Sequence, residues 1–201
     1  MSVWFLSRFL LPLLLLVALG GCSKSPAEYV YVATDITGAN YARDFHLIDQ
    51  NGKPRSLTDF RGKVVAIFFG YTHCPDVCPT TLSDFAMALK KMGEDASRVQ
   101  VIFVTVDPER DTPALLAQYV PAFNPSFLGM YTDEAGTVAL AKEYKIFYQK
   151  QPPDENGRYT VDHSAGTYVY DARGKLRLYM AYAEGPDAIS KDLTQLLAES
   201  D

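Results

Sequence analysis

The sequence predicts an α/β sandwich in which a central mixed sheet is flanked by helices and preceded by an N-terminal hairpin. Three observations carry this. Two continuous apolar runs, KVVAIFFGY (63–71) and RVQVIFVTVD (98–107), read as strands buried on both faces. Between them Leu82, Phe85, Ala86, Leu89 and Met92 recur at helical spacing, which completes a strand–helix–strand unit. Near the end, GTYVYDARGKLRLYMAY (166–182) supplies two strands meeting at Arg173–Gly174, and the amphipathic stretch 187–200 closes the chain.

The remaining elements follow in order. Residues 1–21, MSVWFLSRFLLPLLLLVALGG, carry one Arg and an apolar run that ends in two glycines. The run is short for a membrane span and has the layout of a cleaved export signal. Its ending LGGC resembles a bacterial lipobox, which makes Cys22 the expected lipidated first residue; the competing reading is an uncleaved anchor with an incidental cysteine. Residues 22–43 lack a sustained period and read as a membrane-tethering linker with a short edge strand, before a single domain at 44–201. Within it, FHLIDQNGKPRSL (45–57) is a hairpin turning at Asn51–Gly52. TPALLAQYVPAF (112–123) begins a second helix with proline in its first turn, Glu134 to Tyr144 forms a third, and 145–150 forms a further strand. QPPDENGRY (151–159) is a polar loop, and no internal repeat interrupts the pattern.

Charge narrows the function. The 201 residues hold 19 basic and 24 acidic side chains; without residues 1–21, which contain one Arg, the balance is 18 to 24, or −6. No basic run remains, which argues against nucleic acid as a partner. The 13 Tyr and 11 Phe are ordinary core material for a sheet-and-helix domain. An export signal places the domain on the periplasmic face of a bacterial membrane, where a disulfide is permitted.

The chemistry lies in YTHCPDVCPTT, at the C-terminal end of the first buried strand, where open α/β sheets place their sites. Cys74 and Cys78 are separated by three residues, one more than in a thioredoxin-type redox enzyme. A structural bridge this close in sequence gains little from chain entropy. Pro79 disfavours the helical region for Cys78, so the helix is expected to begin near Pro79. Its positive end favours thiolate, which serves equally as nucleophile or metal ligand.

Histidine separates these uses. His46 alternates with Phe45 and Leu47 in the hairpin and reads as surface; His73 adjoins Cys74 and points elsewhere. His163, in YTVDHSAGTYVY, stands about where thioredoxin-like proteins carry the cis-proline that keeps metal from their dithiol. No proline occurs between Arg158 and Gly185. Taken alone His163 is a hydrogen-bonded structural residue; opposite a thiolate pair it is a ligand. Two thiolates and one imidazole suit copper, whereas structural zinc wants a fourth protein ligand and no third free cysteine supplies it. The spacing alone is not specific for copper.

The segments DFHLIDQNGKPRSLTDFRGKVVAIFFGYTHCPDVCPTTL, VTVDPERDTP and VDHSAGTYVYD resemble, in order, the Sco/SenC family of membrane-tethered, thioredoxin-fold copper chaperones. The resemblance covers about residues 44–199. It implies copper, Cu(I) or Cu(II), held by Cys74, Cys78 and His163. It also implies delivery to, or thiol reduction of, the binuclear copper site in cytochrome c oxidase subunit II, and hence a periplasmic copper donor or thiol reductant as a further partner. The family norm of one transmembrane helix is replaced here by the lipobox-like segment, which suggests a lipid anchor in the inner membrane.

Two function classes therefore stand: a metallochaperone without turnover chemistry, and a thiol-disulfide oxidoreductase in which Cys74 attacks and Cys78 resolves. A peroxidase using Cys74 is a distant third. Asp107 ends the second buried strand and is expected either to support a ligand or to meet a partner. Asp111, before Thr112–Pro113, reads as a helix N-cap. Asp76 lies inside the cysteine loop, facing metal, a docking partner or solvent.

Overall fold

The structure is a computed structural model that describes residues 29–200; the signal segment and Cys22 lie outside the described residues. The compact unit begins at Tyr31. Its elements are β1 (Thr34–Asp35), β2 (His46–Asp49), β3 (Pro54–Ser56), β4 (Val64–Gly70), α1 (Val77–Met92), β5 (Val99–Thr105), α2 (Pro113–Tyr119), β6 (Leu128–Tyr131), α3 (Glu134–Tyr144), β7 (Tyr148–Lys150), β8 (Val161–His163), β9 (Thr167–Tyr170), β10 (Leu176–Met180) and α4 (Gly185–Ala198). Eight strands form one mixed sheet in the order β1-β10-β9-β4-β5-β6-β2-β3, and β7 with β8 forms a separate ribbon.

The two apolar runs are the central strands. β4 and β5 pair in parallel from Val64↔Val99 to Gly70↔Thr105, and all fourteen residues are buried. Fully burying a Val, Ile or Phe side chain contributes about 1.5–3 kcal/mol, so these strands anchor the core. β6 adds in parallel to β5, while β9 joins β4 antiparallel, which makes the sheet mixed as expected. Right-handed crossovers from β4 to β5 and from β5 to β6 run the same way across the sheet, so α1 and α2 share a face. Phe103 of β5 meets Tyr119 of α2 on that face, and α4 packs on α1, joined by a Lys91–Asp187 ion pair of 2.9 Å. The return from β6 puts α3 on the other face, where Tyr144 lies edge-on to Phe69 at 4.9 Å.

Both hairpin turns are organised by a buried aspartate. Asp49 accepts hydrogen bonds from the backbone of Asn51 and Lys53 and from Arg55 Nε, and Gly52 takes the left-handed conformation (φ +80°). Asp171 does the same for the backbone of Arg173 and Lys175 between β9 and β10.

Several expectations need correction. The helix after the cysteines starts at Val77, not near Pro79, so Cys78 lies inside its first turn. Proline is tolerated there because the first turn has no intrahelical use for its missing N–H; Thr80 N–H closes the turn on Asp76 C=O at 3.1 Å. The second helix ends at Tyr119 and continues as a 3-10 turn over Val120–Ala122, since Pro121 cannot donate. The strand expected at 145–150 is only Tyr148–Lys150 and belongs to the ribbon. β6, hidden in FLGMYTD, is an additional strand. The end of the stretch read as linker packs on the domain: Ala33 and Ala42 are buried, and Asp192 of α4 accepts the Ala33 N–H at 2.8 Å.

Candidate metal centre

Cys74, Cys78 and His163 converge from three directions. Cys74 sits in the loop after β4, held by its N–H to Tyr71 C=O at 3.3 Å. Cys78 is carried by the first turn of α1 and is fully buried; His163 is the last residue of β8. Their two sulfurs and one ring nitrogen all lie within 4.8 Å of one another, and among the described residues no other His, Cys, Asp or Glu joins them. Three donors on one ion at bonds of ~2.2 Å would stand ~3.8 Å apart, so a metal fits after sub-ångström adjustment.

The imidazole is already oriented for ligation. His163 Nδ1 faces the Ser164 carbonyl at 3.0 Å, which requires the proton on Nδ1, while Nε2 faces Cys78 Sγ at 3.4 Å. The ring is braced edge-on by Phe68 (6.0 Å between centroids) and Tyr71 (5.8 Å).

The two sulfurs are electrostatically unlike. Cys78 donates toward Cys74, and with the backbone N–H groups of Asp76 and Cys78 this lowers the Cys74 thiol to about 4 despite partial burial. Cys78 is raised far above the ordinary thiol range by that same bond and by burial. Apo protein at neutral pH thus carries one thiolate, on the more exposed sulfur. Neither Cys74 nor Cys78 is in a disulfide.

Gly70 makes room for this arrangement. A Cβ added there would stand 2.6 Å from Cys78 Sγ and 2.9 Å from the Phe103 ring. The end of β4 must therefore lack a side chain for the first turn of α1 to approach so closely.

The acidic expectations resolve differently. Asp111 is not the cap of α2; Thr112 is, accepting from Leu115 N–H. Asp111 is instead buried and grips the cysteine loop, accepting from Thr72 N–H (3.0 Å), Thr72 Oγ1 (2.6 Å) and Thr105 Oγ1 (2.6 Å). Its position one residue before the cap turns its carboxylate inward. Asp107 is fully buried and is met by Arg110, Lys150 (3.5 Å) and the Tyr159 hydroxyl (3.0 Å). Sequence reasoning missed Thr72, Arg110, Tyr159 and Gly70 as supports of the site. Asp76, His73 and His46 are exposed, and His73 turns to Thr72 rather than to the sulfurs.

The site opens into a shallow cleft around Cys74 and His163 whose wall also includes Tyr71, Val161 and the carboxylates of Asp76 and Asp162. A larger groove lies between the 106–113 loop and α3, but among the described residues it holds no cysteine, histidine or metal-ligand cluster. The chemistry belongs to the smaller cleft.

Comparison with known proteins agrees with this geometry. The SCO1/SenC family model matches residues 33–198. An SCO2-like protein of Rickettsia felis is 33% identical over 182 residues, covering 90% of this chain and 88% of its own. The mitochondrial SCO2 homolog of Mus musculus is 36% identical over 157 residues, covering 77% of this chain; the match spans 62% of that longer relative. Among solved structures, ScoI of Bradyrhizobium japonicum with copper bound is 40% identical with a TM-score of 0.70, covering 76% of this chain and 97% of that one. Apo Sco1 of Thermus thermophilus is 41% identical with a TM-score of 0.74, covering 85% and 99%. A dithiol and an imidazole converging at the edge of a thioredoxin-like sheet, in a chain matched along the whole described domain, place this protein in the SCO1/SenC family.

Proposed function

We propose that the chain is a membrane-tethered copper metallochaperone that holds copper through Cys74, Cys78 and His163 and passes it to the binuclear site of cytochrome c oxidase subunit II. The convergence of two sulfurs and one His163 ring nitrogen within 4.8 Å carries the reading. Copper is cargo here: loading requires Cys78 to lose its proton, and three donors leave a side open for an incoming ligand from a recipient. The resemblance of the export segment to a lipobox supports anchoring through lipid on Cys22 at the periplasmic face, which mass spectrometry of the mature chain would test. No helix among the described residues is long and apolar enough to cross a membrane.

One observation favours a second reading, thiol-disulfide exchange on that copper site or on other exported proteins. An accessible thiolate at Cys74 beside a buried, protonated Cys78 is the asymmetry such exchange needs: Cys74 attacks a substrate disulfide, and Cys78 then displaces it, reducing the substrate and closing the Cys74–Cys78 disulfide. His163→Ala separates the two. The chaperone reading expects strongly weakened copper retention, above all of Cu(II), and loss of oxidase assembly, with exchange against small disulfides retained. Intact copper affinity and assembly with lost exchange would overturn it.

A further inference from the structure

We propose that Arg110 is a positioning residue that sets the reach of His163, a proposal that rests on the three-ligand reading above. His163 lies not on the main sheet but at the end of the β7–β8 ribbon. A two-stranded ribbon is marginal by itself, so its attachments fix where the imidazole stands.

Beside the brace from Phe68 and Tyr71, the ribbon's attachments meet at one loop. Arg110 donates from Nη1 to the Tyr159 carbonyl at 2.8 Å, and its guanidinium lies 3.5 Å from the centre of the Tyr159 ring, just before β8. Its Nε donates to Asp107, whose other oxygen accepts the Tyr159 hydroxyl at 3.0 Å. Lys150 of β7 reaches Asp107 at 3.5 Å and Glu109 at 2.6 Å. Both ribbon strands are thus tied to residues 107–110.

The same loop grips the cysteine side. Val106 N–H donates to Gly70 C=O at 2.8 Å, and Asp111 holds Thr72 through two hydrogen bonds. One hydrogen-bonded segment at the end of β5 therefore spans the two halves of the site, and Arg110 is its fork toward the histidine half. A solvated surface pair would not account for Asp107, which is fully buried with its charge met on both oxygens. Arg is the residue suited to this place, because it presents separate donors to a carboxylate and a carbonyl while stacking on an aromatic ring.

The test uses the full chain in detergent, as wild type, Arg110→Ala, Arg110→Lys and Tyr159→Phe. Hydrogen exchange of the copper-free, reduced protein reports ribbon attachment, and nitrogen hyperfine coupling in the EPR spectrum of the Cu(II)-loaded protein reports whether imidazole is bound. Arg110→Ala is expected to accelerate exchange over 148–163 by at least about tenfold, since it loses the hydrogen bonds to Tyr159 and Asp107 and the stacked ring, while β4 and β5 stay protected. Nitrogen coupling is expected to weaken in parallel, and Arg110→Lys, which keeps the charge without the fork, is expected not to restore either. Tyr159→Phe, which loses one hydroxyl and keeps the stacked ring, carries the test should Arg110→Ala not fold, with a smaller change of the same kind. Wild-type exchange and coupling in these variants, equal acceleration across β4 and β5, or full rescue by Lys would each overturn the proposal. Absence of nitrogen coupling in the wild type itself would instead refute the three-ligand reading, while the exchange comparison would still decide whether Arg110 holds the ribbon.

Discussion

Gly70→Ala tests whether the end of β4 and the first turn of α1 are as closely packed as the site requires. The new methyl carbon would sit 2.6 Å from Cys78 Sγ, 2.9 Å from Phe103 and 3.1 Å from Phe68. Ordinary carbon contacts begin near ~3.5 Å, so the sulfur contact is short by about 0.9 Å. Phe68 and Phe103 are fully buried and packed on each other, which leaves them no free direction. Cys78 must therefore move, and it moves with the first turn of α1 or by rotating its sulfur from His163. Overpacking of this kind costs about 1–3 kcal/mol. For a domain of this size that lowers Tm by roughly 4–8 °C at the middle of the range. A displacement near 1 Å also breaks the three-donor geometry, and copper affinity is expected to fall at least about tenfold. Thermal unfolding of apo protein and competition against a copper chelator measure the two effects separately. Wild-type Tm and wild-type affinity in Gly70→Ala would refute the reasoning, because no arrangement of these atoms accommodates the methyl without loss.

The remaining expectations concern the thiols and their support. In reduced apo protein, alkylation at Cys74 is expected to rise with pH through a midpoint near 4 and to be close to its plateau at pH 6, because the thiolate form is favoured by Cys78 and backbone donors. Peptide mapping after timed iodoacetamide labelling measures this; a midpoint near the ordinary thiol value would contradict the assigned asymmetry, as would preferential labelling of Cys78. Asp111→Asn replaces one carboxylate oxygen with a donor, which faces the Thr72 N–H and Thr105 hydroxyl at Oδ2 or the Thr72 hydroxyl at Oδ1. The expected cost is about 1.5–3 kcal/mol in chemical denaturation, together with slower copper loading; unchanged stability would remove Asp111 as the clamp of the cysteine loop.

Legibility in the sequence followed the range of the interactions. β4 and β5 were readable because burial on both faces leaves no polar position to break the run, and α3 was readable to its ends because Asp133 caps it and Tyr144 closes its apolar face. Short elements were not. β6 has four residues and a glycine whose role, admitting Leu116 and Val120, exists only once α2 crosses it. Cys74, Cys78 and His163 were readable as chemistry, since two thiols and an imidazole form a metal-binding or redox set; the state of each was not. That Cys74 is the thiolate depends on Cys78 lying inside the helix, which the proline after it argued against locally and the close approach at Gly70 imposed. Asp111 shows the same conflict. Local rules favoured a cap, but Thr112 serves as the cap, and the carboxylate one position earlier turns inward to Thr72 in the cysteine loop and Thr105 at the end of β5, far apart in sequence and both bonded to Asp111. Ligand identity is thus written in residue type, while ligand reach is written in contacts across 39 to 85 residues of chain. It follows that variants away from Cys74, Cys78 and His163, at Gly70, Arg110 and Asp111, should alter metal retention while leaving those three side chains in place.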